Sequence, residues 1–254
     1  MVNENEINAL ISEFNRLSKG LINFEKLALY TSTFHSTKIE GCTLTEKQVV
    51  DLLEDSKTAG TKSHEDHLMV FDYFTALKSI VEAAHEKKRF SLTFIKSLGG
   101  LVLKNTGGKV SSMSGDFDSS KGDFRKVNVY AGSRRFPDFS KVESMCRRFC
   151  ETANKKMATA KTNREKLEVA FYVHFQLVTI HPFSDGNGRV SRIVMTYIFL
   201  YFGLPVGFVF SKDRLKYIEA LEASRKTESM DPFYKFMFAQ YSKSLKSEIK
   251  MLKG

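Results

Sequence analysis

Three observations predict an all-α fold with one short β-hairpin. Apolar residues recur at helical spacing along most of the 254-residue chain. Four prolines and fifteen glycines are too few for the frequent turns of a β-sandwich. Several of those glycines lie between residues 105 and 138, so we expect the loops and the hairpin there. We expect one domain over residues 1–254, because no linker or internal repeat divides the chain.

The N-terminal part of the chain is predicted to be helical. Ile7, Ile11 and Phe14 lie on one stripe of a first helix at residues 3–18, and Gly20 follows it as a stop signal. Further helices are expected at residues 24–37, from Thr45 through Leu53, at 67–84 and from 91 to about 103.

The hairpin is predicted from residues 124–130, which partly alternate between apolar and polar, and from the Ala131-Gly132-Ser133 turn after them. Helices are expected again at residues 141–155, 215–223 and 231–251. Residues 168–180 fit two patterns, the alternation of a strand and a helical stripe that includes Ala170, Val173 and Leu177. Their length and the lack of a strong pairing partner favour a helix.

The charge and the cysteines exclude several classes of protein. Lysine and arginine number 39 against 29 acidic residues, a net charge of +10. The lysines are spread out, with no stripe of interleaved aromatic residues, so we expect a solvated surface and no nucleic-acid role. Cys42, Cys146 and Cys150 are too few for a disulfide framework and, without a visible signal peptide, indicate a cytoplasmic protein. Cys146 and Cys150 lack further metal ligands nearby, so we expect them to be buried as small apolar residues.

An uncharged run from Ile193 to Phe210 is long enough to test as a membrane span. Gly203, Pro205 and Gly207 interrupt it, and Pro205 removes a backbone donor. We therefore expect a buried helix that ends near Phe202 and no membrane partner.

The most informative stretch is His181-Pro182-Phe183-Ser184-Asp185-Gly186-Asn187-Gly188-Arg189-Val190-Ser191-Arg192. Pro182 should end the preceding helix and leave the His181 imidazole on a loop, free of a helix surface. The Gly186-Asn187-Gly188 turn should open the next helix, and the unpaired amides of a helix N-terminus bind anions. Arg189 and Arg192 add guanidinium groups suited to phosphate oxygens.

This junction predicts the chemistry of an enzyme that binds a polyphosphate. Asp185 beside a phosphate site suits Mg²⁺, which takes one or two carboxylates together with phosphate oxygens. His181 is the nearby side chain suited to general-base work at neutral pH. The metal and the helix N-terminus would then bind a polyphosphate, and His181 would take the proton of an incoming hydroxyl.

The same stretch resembles the signature of the Fic (Fido-domain) family, His-Pro-Phe-x-[Asp/Glu]-Gly-Asn-Gly-Arg-x-x-Arg, at every specified position. That family is α-helical and transfers AMP from ATP to Tyr, Thr or Ser hydroxyls of target proteins. The resemblance favours a helix for residues 168–180. It implies His181 as the base, Asp185 as the Mg²⁺ ligand, Gly186, Asn187, Gly188 and Arg189 at the α- and β-phosphates, and Arg192 at the γ-phosphate.

The resemblance extends over about residues 30–240. It implies N-terminal helices within residues 1–60 and a catalytic core at about 90–240. Because the chain stops soon after Met251, we expect no separate C-terminal DNA-binding domain. Tyr217 lies in a segment that resembles the one that borders the adenine in this family. The family has a flap hairpin that docks the target backbone by strand addition. The residues that resemble it here include Gly122, Arg125, Val127 and Val129.

A second motif, Ser36-Thr37-Lys38-Ile39-Glu40-Gly41, resembles the inhibitory motif of class II members, [Ser/Thr]-x-x-x-Glu-[Gly/Asn]. The i,i+4 spacing places Ser36 and Glu40 on one helix face. The resemblance implies that Glu40 pairs with Arg192 and occupies the place of the γ-phosphate, which leaves ATP in an unproductive pose.

Several alternatives stay open. The same fold can remove AMP by attack of water, use another nucleotide or transfer phosphocholine, and a nucleotide-sensing interaction module would need no catalysis at all. The intact phosphate site favours a nucleoside triphosphate. The sequence leaves the target protein, the modified residue and the oligomeric state open, a homodimer included.

Overall fold

Ten α-helices, three short 3₁₀-helices and two small β-hairpins make up the regular structure of residues 3–20, 24–132 and 134–254, which the computed structural model describes. The all-α expectation with a short hairpin is confirmed. The helices are α1 (Glu4–Ser18), α2 (Phe24–Ile39), α3 (Glu46–Asp55), α4 (His64–His85), α5 (Leu92–Val102), α6 (Val142–Thr159), α7 (Asn163–Ile180), α8 (Asn187–Phe202), α9 (Arg214–Lys226) and α10 (Asp231–Lys253). The antiparallel hairpins pair β1 (Lys109–Val110) with β2 (Phe117–Asp118) and β3 (Tyr130–Ala131) with β4 (Arg134–Arg135).

Helix α7 contains the ambiguous residues 168–180, so the helical interpretation is confirmed. The helix begins earlier than residue 168 because Thr162 and Glu165 form a capping box. Thr162 Oγ1 accepts a hydrogen bond from Glu165 N at 3.2 Å, and Glu165 Oε2 accepts one from Thr162 N at 3.0 Å. The Thr-x-x-Glu pattern was present in the sequence as a signal for this start.

The predicted strand at residues 124–130 is wrong apart from Tyr130. Strand pairing is confined to two residues on each side, Tyr130 with Arg135 and Ala131 with Arg134. The physical reason is that the Arg125 amide donates to Pro182 O at 3.0 Å, so the chain here bonds to the α7–α8 loop. Ser133 of the predicted turn lies outside the described residues.

The hairpin of β1 and β2 lies in a stretch from which only loops and turns were expected. Lys109 pairs with Asp118, and Val110 pairs with Phe117. Two-residue strands are too short to show an alternating pattern in sequence.

Helices α7 and α8 form the centre of the core. Val190 and Phe199 lie on opposite sides of α8 and both are fully buried, so this helix is covered on all sides. It ends at Phe202 as predicted, where Gly203 closes it at φ 65°. None of the helices in the described parts of the chain is long and apolar enough to cross a membrane. Cys146 and Cys150 are buried free thiols of α6, also as predicted.

The fold brings three other elements to the N-terminal end of α8. The end of α5 lies under the turn, since a Cβ on Gly186 would be 3.1 Å from Val102 Cγ1. The end of α2 contacts the first turns of α8 through Ser36. The loop between α7 and α8 supplies His181.

Candidate active site at the α7–α8 junction

The turn into α8 is held by its own residues. His181 closes α7 in the left-handed region at φ 55°, and its amide donates to Leu177 O at 3.0 Å. Asn187 then braces the loop, because its Oδ1 accepts from Phe183 N and its Nδ2 donates to Phe183 O, both at 2.9 Å. Gly186 is the N-cap of α8 at φ 73°, a conformation that favours glycine. The Asn187 side chain is thus used within the loop, which leaves only its backbone amide for the anion site predicted there.

The His181 imidazole is less free than predicted. Its ring stacks on Phe136 with centroids 3.6 Å apart, and its Nδ1 lies 3.2 Å from Val178 O of α7. The expectation of an imidazole clear of any helix surface is therefore wrong, because the left-handed turn folds the ring back over the last turn of α7. Burial lowers the pKa of His181 to about 4, although the Val178 carbonyl opposes that shift.

Arg189 and Asp185 lie on one side of the junction. Arg189 Nη2 donates to Asp185 Oδ2 at 2.9 Å, and Nη1 lies 3.5 Å from Val102 O. The Arg189 side chain is buried, whereas 75% of the Asp185 side chain is exposed. Arg189 Nε is buried without a hydrogen-bond partner among the described residues. A buried donor without an acceptor is costly, so this atom fits a bound anion.

Arg192 lies about one turn further along α8, where the end of α2 contacts it. Its Nε donates to Ser36 Oγ at 2.7 Å, and its Nη2 donates to Ser36 O at 3.2 Å and to Glu40 Oε1 at 2.5 Å. Burial alone would raise the pKa of Glu40, but the charge of Arg192 holds it below its usual value. Burial would likewise lower the pKa of Arg192, and Glu40 raises it. The pair is therefore fully ionised.

Glu40 also lies over the first turn of α8. A Cβ built on Gly188 would be only 2.5 Å from Glu40 Oε1, so the carboxylate occupies the space directly above this glycine. A negative charge at a helix N-terminus interacts favourably with the helix dipole. The carboxylate therefore stands where an anion bound by this turn would stand.

The predicted adenine contact requires Tyr217 to line an open pocket, and the structure does not place it in one. It is 4% exposed, and its hydroxyl lies 2.8 Å from His174 Nε2. Burial raises the pKa of Tyr217 to about 12, and the nearby charge of Arg192 opposes that shift. Tyr217 and His174 thus form a buried polar layer next to Arg192, which sequence reasoning missed.

The residues expected in the flap separate into two kinds. Gly122 is packed under α5, where a Cβ would collide with Lys96 O, and Arg125 is 1% exposed with its guanidinium bonded to backbone carbonyls. The Arg125 side chain is therefore not available to dock a target. Val127 and Val129 are half-buried in the chain before β3, where Val129 O accepts a hydrogen bond from Phe136 N at 3.2 Å.

Two further contacts at the site were not predicted. Phe136 covers the His181 ring, and Arg214 Nε donates to Ile39 O at 2.8 Å at the end of α2. Neither residue carries a local motif that would have indicated it.

A metal would have little protein ligation here. The described residues contain no group of three or more His, Cys, Asp or Glu side chains that could hold a metal ion. Asp185 offers one exposed carboxylate, which fits an ion ligated mainly by phosphate and water, as Mg²⁺ is in many nucleotide sites.

Comparison with known proteins bears on the same junction. A sequence model of the Fic/DOC family matches residues 89–199, which include α5, the β3–β4 hairpin, α7 and nearly all of α8. Residues 89–199 are a Fic/DOC domain. The recognition made on the signature at residues 181–192 is thereby confirmed.

Curated relatives of this chain are named "Protein adenylyltransferase Fic". The protein of Drosophila persimilis is 29% identical over 227 residues, which cover 89% of this chain and 42% of that protein. The protein of Culex quinquefasciatus is 29% identical over 228 residues, 89% of this chain and 43% of that protein. The chain thus spans about two-fifths of the length of these relatives.

Solved Fic structures show the same fold. Fic-1 from C. elegans superposes with a TM-score of 0.80 at 22% identity, over 98% of this chain and 72% of that one. A Fic-domain signaling protein from Bacteroides thetaiotaomicron gives 0.81 at 21% identity, over 98% of both chains. IbpAFic2, solved covalently tethered to Cdc42, gives 0.57 at 18% identity, over 92% of this chain and 70% of that one.

Proposed function

We propose that this protein is a protein adenylyltransferase that transfers AMP from ATP to a Tyr, Thr or Ser hydroxyl of a target protein and is restrained by Glu40. The observation that carries the proposal is the Glu40 carboxylate, paired with Arg192 and lying over Gly188 at the start of α8. A carboxylate held there by an arginine and a helix N-terminus marks a site built for anions. The names of the curated relatives support the same reaction.

The first turn of α8 is the proposed site for the triphosphate. Gly186 and Gly188 let phosphate oxygens approach the backbone amides, to which Asn187 contributes its own amide. The unpaired Arg189 Nε would donate to the α- or β-phosphate. Arg192 would take the γ-phosphate once Glu40 leaves it.

His181 is the proposed general base. Because a carbonyl can only accept, the contact with Val178 O puts the proton of the neutral ring on Nδ1 and leaves the lone pair of Nε2 free. The target oxygen forms a bond to the α-phosphorus as the bond from that phosphorus to the bridging oxygen of the β-phosphate breaks. The hydroxyl proton passes to Nε2, and the electron pair of the broken bond leaves on pyrophosphate. A correctly placed base contributes on the order of 10²–10⁴ in rate.

Asp185 would hold Mg²⁺ through its exposed carboxylate, and the ion would neutralise charge on the phosphates and on the leaving pyrophosphate. Positioning and charge stabilisation account for most of the catalysis in this type of reaction. Arg189 contributes to both, because its Nη2 already orients Asp185.

A protein substrate and a cytoplasmic location belong to the same proposal. The solved complex of IbpAFic2 with Cdc42 supports a protein as the target of this fold. Free, buried thiols at Cys42, Cys146 and Cys150 support a reducing compartment.

The test is labelling of proteins with ATP that carries a radioactive α-phosphate. Glu40→Gly should label a host lysate, or itself, about 10- to 100-fold faster than wild type, since a charge-assisted contact is worth about 1.5–3 kcal/mol. Glu228→Gly is the matched control, because Glu228 is an exposed glutamate in the left-handed region, where glycine fits. Glu40→Gly combined with His181→Ala should label nothing. Labelling that survives this double substitution would refute the role of His181, and no labelling by Glu40→Gly would refute the function.

Removal of AMP is a second candidate, favoured by the state of Glu40. Its carboxylate is ionised and 32% exposed, so water can reach it beside the phosphate site. In that case Glu40→Gly should lose removal of AMP from a modified target while it gains transfer. A variant that gains transfer with unchanged removal would exclude Glu40 from the removal reaction.

A further inference from the structure

Arg125 is a buried cation whose hydrogen bonds go to backbone carbonyls. Only 1% of the residue is exposed. Its guanidinium donates from Nε to His181 O at 2.8 Å, from Nη1 to Val127 O at 2.8 Å and from Nη2 to Pro137 O at 2.6 Å. Its amide donates to Pro182 O at 3.0 Å. One residue thus fixes three separate points of the backbone.

All three points of the backbone lie in or beside the segment that contacts the His181 imidazole. Val127 and Pro137 are the two ends of the segment that carries the β3–β4 hairpin, here called the 127–137 segment. His181 O belongs to the residue whose imidazole stacks on Phe136 of the same segment. Arg125 therefore connects both ends of the segment to the residue proposed as the base.

The backbone at His181 needs such support. A φ of 55° is unfavourable for a residue with a side chain, and such conformations persist where surrounding contacts determine them. Arg125 holds the carbonyl of His181 through Nε and the carbonyl of Pro182 through its amide. Arg125 is thus one of the contacts that hold this conformation, together with the bond from the His181 amide to Leu177 O.

We propose that Arg125 is a positioning residue, which sets the distance between the 127–137 segment and His181 Nε2 so that a target docked along the segment presents its hydroxyl to the base. The inference rests on the proposed function. This positioning role needs the planar guanidinium group of arginine, since a lysine can keep the charge but cannot reach three carbonyls in fixed directions.

The test compares Arg125→Lys with Arg125 in the Glu40→Gly background. We expect kcat for AMP transfer to fall about 10- to 100-fold, and the KM for ATP to change less than twofold, because the phosphates bind at α8. Arg147→Lys is the matched control, because Arg147 is an exposed arginine of α6 that pairs only with Glu143 of its own helix among the described ion pairs. An unchanged kcat in Arg125→Lys would overturn the inference, as would an equal loss in the control.

Two readouts do not depend on transfer. By NMR, the imidazole of His181 should titrate at higher pH in Arg125→Lys than in wild type, because a loosened turn exposes the ring; His181→Ala identifies its signal. In wild type the Nε–H of Arg125 should exchange slowly with solvent, a measurement that needs no variant to fold. Fast exchange, or an unchanged titration, would refute the positioning role. If Glu40→Gly transfers no AMP, the proposed function fails while these readouts still test Arg125.

Discussion

Arg125 and Arg192 are both buried near the α7–α8 junction, yet the hydrogen bonds of their guanidinium groups are satisfied in different ways. Arg192 pairs with the carboxylate of Glu40, whereas the guanidinium of Arg125 donates to three backbone carbonyls. A carboxylate can be replaced by another anion, but a backbone carbonyl cannot leave. The first arrangement suits an exchangeable contact, and the second suits a permanent one.

The largest expected effect is on the free energy of unfolding and concerns the permanent contacts of Arg125. Arg125→Met should lower the free energy of unfolding by about 3–5 kcal/mol, because three buried carbonyls lose their donors. Urea denaturation measures it, with Arg147→Met as the exposed control, for which we expect a change of less than about 0.5 kcal/mol. A loss below about 1 kcal/mol for Arg125→Met would mean that the carbonyls find other partners.

The next effect concerns the exchangeable contact at Glu40. Glu40→Gln keeps the size of the side chain but removes its charge, so an amide still covers Gly188. We expect a gain in labelling of about 3- to 10-fold, less than the gain for Glu40→Gly, because charge and occupancy both contribute to the restraint. Equal rates for Gln and Gly would show that charge alone restrains the enzyme.

A smaller effect is expected at Ser36. Ser36→Ala removes the acceptor of Arg192 Nε, a contact worth about 0.5–1.5 kcal/mol. Arg192 keeps Glu40 and the Ser36 carbonyl, so the labelling rate should rise only about 2- to 5-fold. Ser32→Ala is the control, since Ser32 is also buried and lies one turn earlier on α2. A larger rise would mean that Ser36 fixes the position of α2 itself.

The smallest effect is expected from pH. The pKa of Glu40 is held below its ordinary value of 4.5 by Arg192, so the ion pair stays intact above that value and is lost only as pH falls through the lowered pKa. The ratio of Glu40→Gly to wild-type labelling should therefore stay constant within about twofold from pH 8 to pH 5. A ratio that falls towards one across this range would show that Glu40 is protonated there.

The part of the site that could be predicted from sequence is the part fixed by neighbours along the chain. The end of α7 before Pro182, the glycine turn and the first turn of α8 follow from the residue types and spacing within residues 181–192. The spacing of Ser36 and Glu40 places both on one side of α2, so one arginine can contact both. The pairing itself came from the family resemblance.

The remaining contacts join residues far apart in sequence. The stack of Phe136 on His181 and the bonds from Arg125 to Pro137 and His181 depend on how the hairpin packs against α7. The position of Tyr217 depends on the packing of α9, which buries its hydroxyl against His174. No local pattern encodes such distances, so the sequence assigned Arg125 to target docking and Tyr217 to the adenine, although both side chains are buried.

The brace formed by Asn187 has a consequence for how the junction responds to a nucleotide. Since both ends of its amide are bonded to Phe183, we expect the loop to keep its shape when the turn binds a ligand. Little conformational entropy then remains to be lost when phosphate binds, and the binding energy is free to displace Glu40. Hydrogen exchange at residues 183–187 should accordingly be slow before ATP is added and little changed afterwards.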